Sequence, residues 1–147
     1  KVRRTEEMLK LMEIEHLRKA NPYNLSGGEQ QRLALAKVMV SNPDILLLDE
    51  PTKGLDPFFK QTLGRILRSL CKENKTIFMV SHDIEFCAEF GDRCSMFFDG
   101  EIATSGSAKE FFSGNNFYTT VENKLTRKWC EGIITGEEAR SWIRSLL

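Results

Sequence analysis

The chain has 147 residues, of which 41% are hydrophobic, so it can bury the core of one domain. Twenty-one basic residues balance 21 acidic ones, which argues against nucleic acid or an anionic membrane surface as the main partner. No apolar run approaches the ~20 residues of a membrane-spanning helix. The four cysteines show no C-x-x-C spacing and no clustering with the two histidines, so we expect neither a cysteine–histidine metal site nor a disulfide framework, and a reducing cytosol is favoured.

Two helices are predicted within the first 40 residues. Apolar and charged side chains recur at helical spacing over residues 5–19, and Asn21-Pro22 interrupts that pattern. The second helix is predicted from Ser26 to about Val40, where Ser41-Asn42-Pro43 stops it.

A strand, a helix and a second strand follow. The short apolar runs over residues 44–48 and 76–80 are typical of strands covered on both faces, as in a parallel sheet. Residues 57–72 between them place leucine and isoleucine on one helical stripe. This order predicts one βαβ unit.

The remaining residues are predicted to form a short helix, a hairpin and a helical tail. The helix is expected over residues 84–90, and Asp99-Gly100 between two apolar runs is a hairpin signal. Ser107 with Glu110 has the spacing of a capping box, and so has Thr135 with Glu138 in the tail.

Leu25–Arg32, with the sequence LSGGEQQR, allows two interpretations. Ser26 and Glu29 have capping-box spacing and the two glycines permit a tight helix entry, which explains the motif structurally. The alternative is an anion site. A serine and two glycines at a helix start expose backbone N–H groups, and the helix dipole favours a phosphate there.

Asp49 and Glu50 end the first apolar strand, within the sequence ILLLDEP. Ligands bind at the carboxyl edge of open α/β sheets. An aspartate at that edge can hold Mg²⁺ in phosphate-loop ATPases, and a neighbouring glutamate can polarise the attacking water. The alternative is a strand that simply ends in a charged turn.

Two further motifs complete the set. Ser81-His82-Asp83 follows the second strand, and because a lone histidine is more often structural, its interest comes from its position at the sheet edge. Pro51–Asp56, with the sequence PTKGLD, is by itself a turn with a helix-starting aspartate.

The four motifs occur together and in order, and in this they resemble the ATPase domains of ATP-binding-cassette (ABC) transporters. Leu25–Arg32 resembles the ABC signature motif, Ile45–Glu50 the Walker B strand, Gly54–Asp56 the D-loop, and His82 the switch histidine. The resemblance implies an α/β fold, namely part of a phosphate-loop NTPase fold with a parallel-sheet core and a helical signature subdomain. It implies that residues 1–112 are the C-terminal part of an ABC ATPase domain and that residues 113–147 are a helical extension.

The resemblance also implies contacts with a second ATPase domain. ABC ATPase domains pair head to tail and hold two ATP molecules at their interface. The residues that would contact ATP bound by the partner are Ser26, Gly27, Gly28 and Gln30. Asp56 would couple the two sites across the interface.

The same resemblance implies three hydrolytic roles. Asp49 would hold Mg²⁺ through water. Glu50 would act as general base or position the water, and His82 would contact the γ-phosphate and the attacking water.

One motif of the family does not occur in the 147 residues. There is no G-x-x-x-x-G-K-[ST] loop, whose lysine and hydroxyl hold phosphate and Mg²⁺. We therefore expect a fragment of a longer ATPase that alone neither binds nor hydrolyses ATP. A sheet without the phosphate-loop strand would leave four apolar residues on unpaired edges, namely Ile45, Leu47, Phe78 and Val80.

Shorter signals resemble the ATPases of energy-coupling-factor importers: residues 51–56, residues 115–120, and residues 132–135 followed by acidic residues. This resemblance implies a peripheral protein at the cytoplasmic face of the membrane. With a transmembrane coupling subunit it would drive uptake of a vitamin or a transition-metal ion. Two alternatives stay open, a soluble non-transport ABC ATPase and a module that acts only through interactions. No nucleic-acid partner is expected.

Overall fold

The computed structural model describes residues 2–115 and 118–147. They form two compact units, residues 1–81 and residues 82–147. The first unit contains α1 (Val2–Leu11), 3-10 turns at Glu15–Leu17 and Pro22–Asn24, α2 (Gly27–Val40), β1 (Ile45–Asp49), α3 (Pro57–Lys72) and β2 (Thr76–Val80). The second unit contains α4 (Ile84–Phe90), β3 (Arg93–Phe98), β4 (Glu101–Ser107), α5 (Ala108–Gly114), α6 (Val121–Thr126) and α7 (Gly136–Ser145). The predicted domain boundary between residues 112 and 113 stays a prediction.

The predicted βαβ unit is confirmed. β1 and β2 pair in parallel, with Leu47 opposite Phe78, and α3 connects them. α3 begins where Asp56 accepts a hydrogen bond from the Phe59 amide and Pro57 occupies the first turn. The α/β class predicted from the sequence is therefore correct.

The prediction that both faces of these strands are covered is wrong for the described residues. Leu46 and Leu48 are buried on one face of the sheet, whereas Leu47 is 76% exposed on the other. Alternate side chains of a strand point to opposite faces. The four apolar residues expected on unpaired edges, Ile45, Leu47, Phe78 and Val80, are exposed, and they share this uncovered face.

The first helix ends earlier than predicted. Instead of continuing to residue 19, α1 stops at Leu11, and Glu13 adopts a left-handed conformation with φ of 57°. The Ile14 amide donates to the Leu9 carbonyl and the Glu13 amide to the Lys10 carbonyl, which is the Schellman arrangement of a helix C-terminus. Glycine usually marks this position, so a glutamate there gave no sequence signal.

The second unit contains the predicted hairpin. Asp99 and Gly100, with φ values of 50° and 82°, form the two-residue turn between β3 and β4. Its core includes Ala88, Phe112 and Ile134, so the tail packs within this unit.

Within the described residues, the predicted helical tail and its predicted capping box are both present. α7 begins at a capping box of Thr135 and Glu138, and α6 precedes it. Asn116 and Phe117, which belong to one of the importer-like signals, lie outside the described residues. Among the helices described, none is long and apolar enough to cross a membrane.

Candidate functional site

The start of α2 is a capping box built by Ser26 and Glu29. The Ser26 hydroxyl accepts from the Glu29 amide at 3.4 Å, and the Glu29 carboxylate accepts from the Ser26 hydroxyl and the Ser26 amide, both at 2.7 Å. The hydrogen bond from the Ser26 hydroxyl, followed by that from its amide, holds the pKa of Glu29 below its ordinary value. The structure therefore confirms that Ser26 and Glu29 form the predicted capping box.

The capping box leaves room for an anion at the same helix start. The first N–H groups of a helix have no intrahelical acceptor, and the box uses those of Ser26 and Glu29 and leaves those of Gly27 and Gly28. A methyl group on Gly27 would meet no atom within 4 Å, so the backbone there is open to approach. α2 has 14 residues, and the positive end of its dipole lies at these glycines. Capping and phosphate binding are thus compatible.

Gly28 and Gly54 bring the signature segment against the D-loop. A methyl group on Gly28 would lie 2.8 Å from the Gly54 carbonyl oxygen, closer than real contacts allow. Gly54 has φ of 74°, a conformation that favours glycine. One turn further along α2, Gln31 Nε2 donates to the carbonyls of Glu50 and Pro51 at 3.4 and 3.3 Å. The signature helix is therefore fixed to the segment that follows β1.

Arg32 adds charge to this contact. One guanidinium nitrogen lies 2.5 Å from Asp56 Oδ2 and another lies 3.1 Å from Glu13 Oε2. The guanidinium carbon lies 3.7 Å from the centre of the Phe59 ring, within the range of a cation–π contact. The hydrogen bond from the Phe59 amide is the main cause that lowers the pKa of Asp56, desolvation opposes it, and the hydrogen bond and charge of Arg32 lower it further.

These contacts border a groove of about 390 Å³, whose lining includes Ser26, Gly28, Gly54 and Asp56. Four of the residues predicted from the signature motif and D-loop therefore meet in one place. Gln30 instead makes hydrogen bonds within the motif. Its side-chain amide nitrogen donates to the Leu25 carbonyl at 2.8 Å, and its backbone N–H donates to the Ser26 carbonyl.

Asp49 and Glu50 lie where β1 ends. Asp49 is the last residue of the strand and is exposed, and the Glu50 amide donates to the Val80 carbonyl at 2.9 Å, which extends the pairing by one residue. Glu50 has φ of 45°. A left-handed glutamate costs on the order of 1–3 kcal/mol, and such strain concentrates at functional sites.

Asp49 has the chemistry of a magnesium ligand. Mg²⁺ is commonly held by one or two carboxylates, several waters and the phosphates of a nucleotide. Residues 2–115 and 118–147 contain no cluster of three or more histidine, cysteine, aspartate or glutamate side chains that could hold a metal by themselves. A single exposed carboxylate at a strand end fits an ion that takes its other ligands from water and nucleotide.

His82 follows β2 by two positions and is exposed. It is the first residue of the second unit.

The sequence did not reveal Gln31 and Arg32 as contact residues, although both lie in the signature motif. Their spacing of three and four residues from Gly28 places them on one helix face, and only the structure identifies what that face contacts.

Known proteins match this chain in sequence and in fold. The family model described as "ABC transporter" matches residues 1–53, which include the signature segment and Asp49-Glu50. A putative ABC transporter ATP-binding protein of Bacillus cereus is 49% identical over 133 residues, which are 90% of this chain and 24% of that protein. The chain belongs to the ABC transporter ATPases.

Solved ABC cassettes show the same fold. The dimeric bacterial ABC transporter cassette MJ0796 matches with a TM-score of 0.68 and 36% identity, over 72% of this chain and 46% of that one. CbiO1 of Clostridium perfringens, described as part of the ABC transporter complex cbiONQ, matches with a TM-score of 0.67 and 32% identity over 87% of this chain and 50% of that one. This ABC ATPase chain thus spans about half of each cassette, and about a quarter of the Bacillus relative.

Proposed function

We propose that this chain supplies the signature, Walker B and D-loop parts of a subunit that hydrolyses ATP to drive transport. The observation that carries the proposal is the groove in which Ser26, Gly28, Gly54 and Asp56 meet at the N-terminus of α2. A helix N-terminus with accessible backbone N–H groups, packed against the turn that contains Gly54, is suited to binding a phosphate. We use the term assembled ATPase for the protein that carries these residues, paired with its second ATPase domain.

In this proposal the groove receives ATP from the partner domain. The Gly27 and Gly28 amides donate to the γ-phosphate of that nucleotide, and the Ser26 hydroxyl does so by turning its proton from Glu29 to the phosphate. The Gln30 side-chain amide has two N–H groups, and the one that does not donate to the Leu25 carbonyl would donate to the same nucleotide. Asp56, at the same groove, faces the interface and couples the two sites.

Three residues act on the nucleotide that the protein itself holds. Asp49 binds the Mg²⁺ of that nucleotide through water, and Mg²⁺ when bound neutralises charge on the phosphates. Glu50 accepts a hydrogen bond from the attacking water and aligns it, or removes its proton. His82 donates to the γ-phosphate and holds the same water. The left-handed Glu50 backbone supports this assignment, because such strain concentrates at functional sites.

The proposed partners are a second ATPase domain, paired head to tail, and a transmembrane coupling subunit. The solved cassette MJ0796 is described as a dimer, and CbiO1 as part of a transporter complex, which supports both. The assembly would lie at the cytoplasmic face of the membrane. The likeness to CbiO1 and the importer-like signals in residues 51–56 and 132–135 favour import of a vitamin or a transition-metal ion by a transporter of the energy-coupling-factor type.

Reconstitution tests this function. The assembled ATPase is combined with its membrane subunit in vesicles, and ATP hydrolysis and uptake of labelled vitamins and of Co²⁺ or Ni²⁺ are measured together. The proposal expects uptake that requires ATP and stops in the Glu50→Gln variant. ATP hydrolysis without uptake of any of these substrates would leave the ATPase assignment and contradict the import assignment.

A further inference from the structure

One face of α2 contacts the segment between β1 and α3 at three points. Gly28, Gln31 and Arg32 form that face, and each meets residues 50–56, by close packing, by amide hydrogen bonds and by an ion pair respectively. Of these, only Arg32 forms a charged link, and only Arg32 reaches Asp56. The start of the signature helix and the D-loop are therefore fastened to each other within one chain.

The Arg32 side chain is held in one orientation. Its side chain is only 17% exposed, and its two terminal nitrogens point to Asp56 and Glu13. The ring of Phe59, which is completely buried, lies under the guanidinium. Because guanidinium is planar and its donors form a rigid fork, these contacts fix both its position and its plane.

We propose that Arg32 is a positioning residue that holds Asp56 in register with the start of α2. A movement at Ser26–Gly28 is then passed to the D-loop through Arg32. This inference rests on the proposed function, since it assumes that the groove receives the partner's nucleotide and that Asp56 faces the interface. Arg32 itself acts through Asp56.

Two variants break the link in different ways. Asp56→Asn keeps an oxygen that can accept from the Phe59 amide, so the α3 cap is retained, but it removes the carboxylate that pairs with Arg32. Arg32→Gln removes the guanidinium and keeps Asp56. The matched control is Asp44→Asn, which breaks a comparable ion pair with Lys75 at 2.8 Å, at the opposite end of β1 from Asp49.

The first readout is steady-state hydrolysis by the assembled ATPase. We expect kcat to fall about tenfold or more in each single variant, because a small misplacement of a positioned group is costly. The KM for ATP should stay within about twofold, and the double variant should be no slower than the slower single one, since both break one link. A kcat for Arg32→Gln within twofold of wild type, or a double variant slowed by the product of the two effects, would overturn the proposal. Asp44→Asn is expected to retain its kcat.

The second readout does not depend on hydrolysis. In ¹⁵N NMR spectra of this chain, Asp56→Asn and Arg32→Gln should both move the amide signals of Ser26–Gly28, whereas Asp44→Asn should leave them in place. Unmoved signals in Asp56→Asn would contradict the coupling even if Arg32→Gln failed to fold. If the wild-type assembly does not hydrolyse ATP, the proposed function fails, and this measurement alone decides the role of Arg32.

Discussion

Gly28 packs so closely against Gly54 that a single added methyl group would lie 2.8 Å from the Gly54 carbonyl oxygen. The neighbouring Gly27 is open, with no atom within 4 Å of an added methyl. Two adjacent glycines of one motif therefore meet different constraints. Gly28 is needed for packing against the D-loop, and Gly27 leaves the helix start accessible.

Substituting alanine for each glycine separates these roles. Gly28→Ala should lower the free energy of unfolding by about 1–3 kcal/mol, because the backbone carbonyl must move. Gly27→Ala should not lower it, since alanine is the better helix former by about 1 kcal/mol and has room. Urea unfolding of the two variants measures the difference. Equal stabilities would mean that the Gly28–Gly54 contact is looser than described.

Ser26→Asn and Ser26→Asp test whether the signature serine faces a phosphate. Both residues are good helix N-caps and have the same shape, so they differ mainly in charge. A carboxylate in a desolvated interface repels a phosphate by several kcal/mol. We expect ATP-driven pairing of the assembled ATPase to be lost in Ser26→Asp and retained better in Ser26→Asn, with melting temperatures close to each other. Equal pairing in both variants would reduce the motif to a helix cap.

The capping box also predicts a pH effect. The pKa of Glu29 is held below its ordinary 4.5 by Ser26, so the stability that this pair provides is present above pH 4.5 and is lost as the pH falls through the folded-state pKa. Ser26→Ala should raise the pKa of Glu29 toward 4.5, as measured by NMR titration of its carboxyl carbon. The control is Ser107→Ala. Ser107 forms the same capping box with Glu110 in the second unit, and its hydrogen bonds lower the pKa of Glu110. An unchanged Glu29 pKa in Ser26→Ala would contradict the observed hydrogen bonds.

Much of the fold follows from local sequence signals. α3, β2 and α4 begin and end where the apolar pattern and the helix-starting Asp56 predict. The first helix was predicted too long because its end uses a left-handed Glu13 in place of glycine. A local sequence pattern does not reveal a helix end at which a residue other than glycine adopts the left-handed conformation.

The candidate site was predictable as a list of residues, and its internal contacts were not. Ser26, Asp49 and Glu50 stand in recognisable motifs. The pairing of Arg32 with Asp56 joins residues 24 positions apart, and only the packing of α2 on the D-loop brings them together. The sequence predicted that Ile45, Leu47, Phe78 and Val80 would lie on unpaired edges, but not that they share one uncovered face, because a continuous apolar run predicts burial on both faces.

Nucleotide binding by the isolated chain is expected to be weak. The residues lack a phosphate-gripping lysine loop, which supplies most of the phosphate contacts in phosphate-loop enzymes. Calorimetry with ATP and Mg²⁺ should detect no micromolar binding and no hydrolysis by these 147 residues alone. Tight, Mg²⁺-dependent binding would show that a different set of groups holds the nucleotide.

The most direct test of the proposed ATPase function is Glu50→Gln in the assembled ATPase. The substitution keeps the shape of the side chain and removes the carboxylate that would align or deprotonate water, an effect typically worth about 10²–10⁴ in rate. Turnover should fall by at least about a hundredfold, while ATP still binds and an ATP-bound dimer accumulates on gel filtration. Hydrolysis within a few-fold of wild type would contradict the role of Glu50 and would make His82 the next candidate.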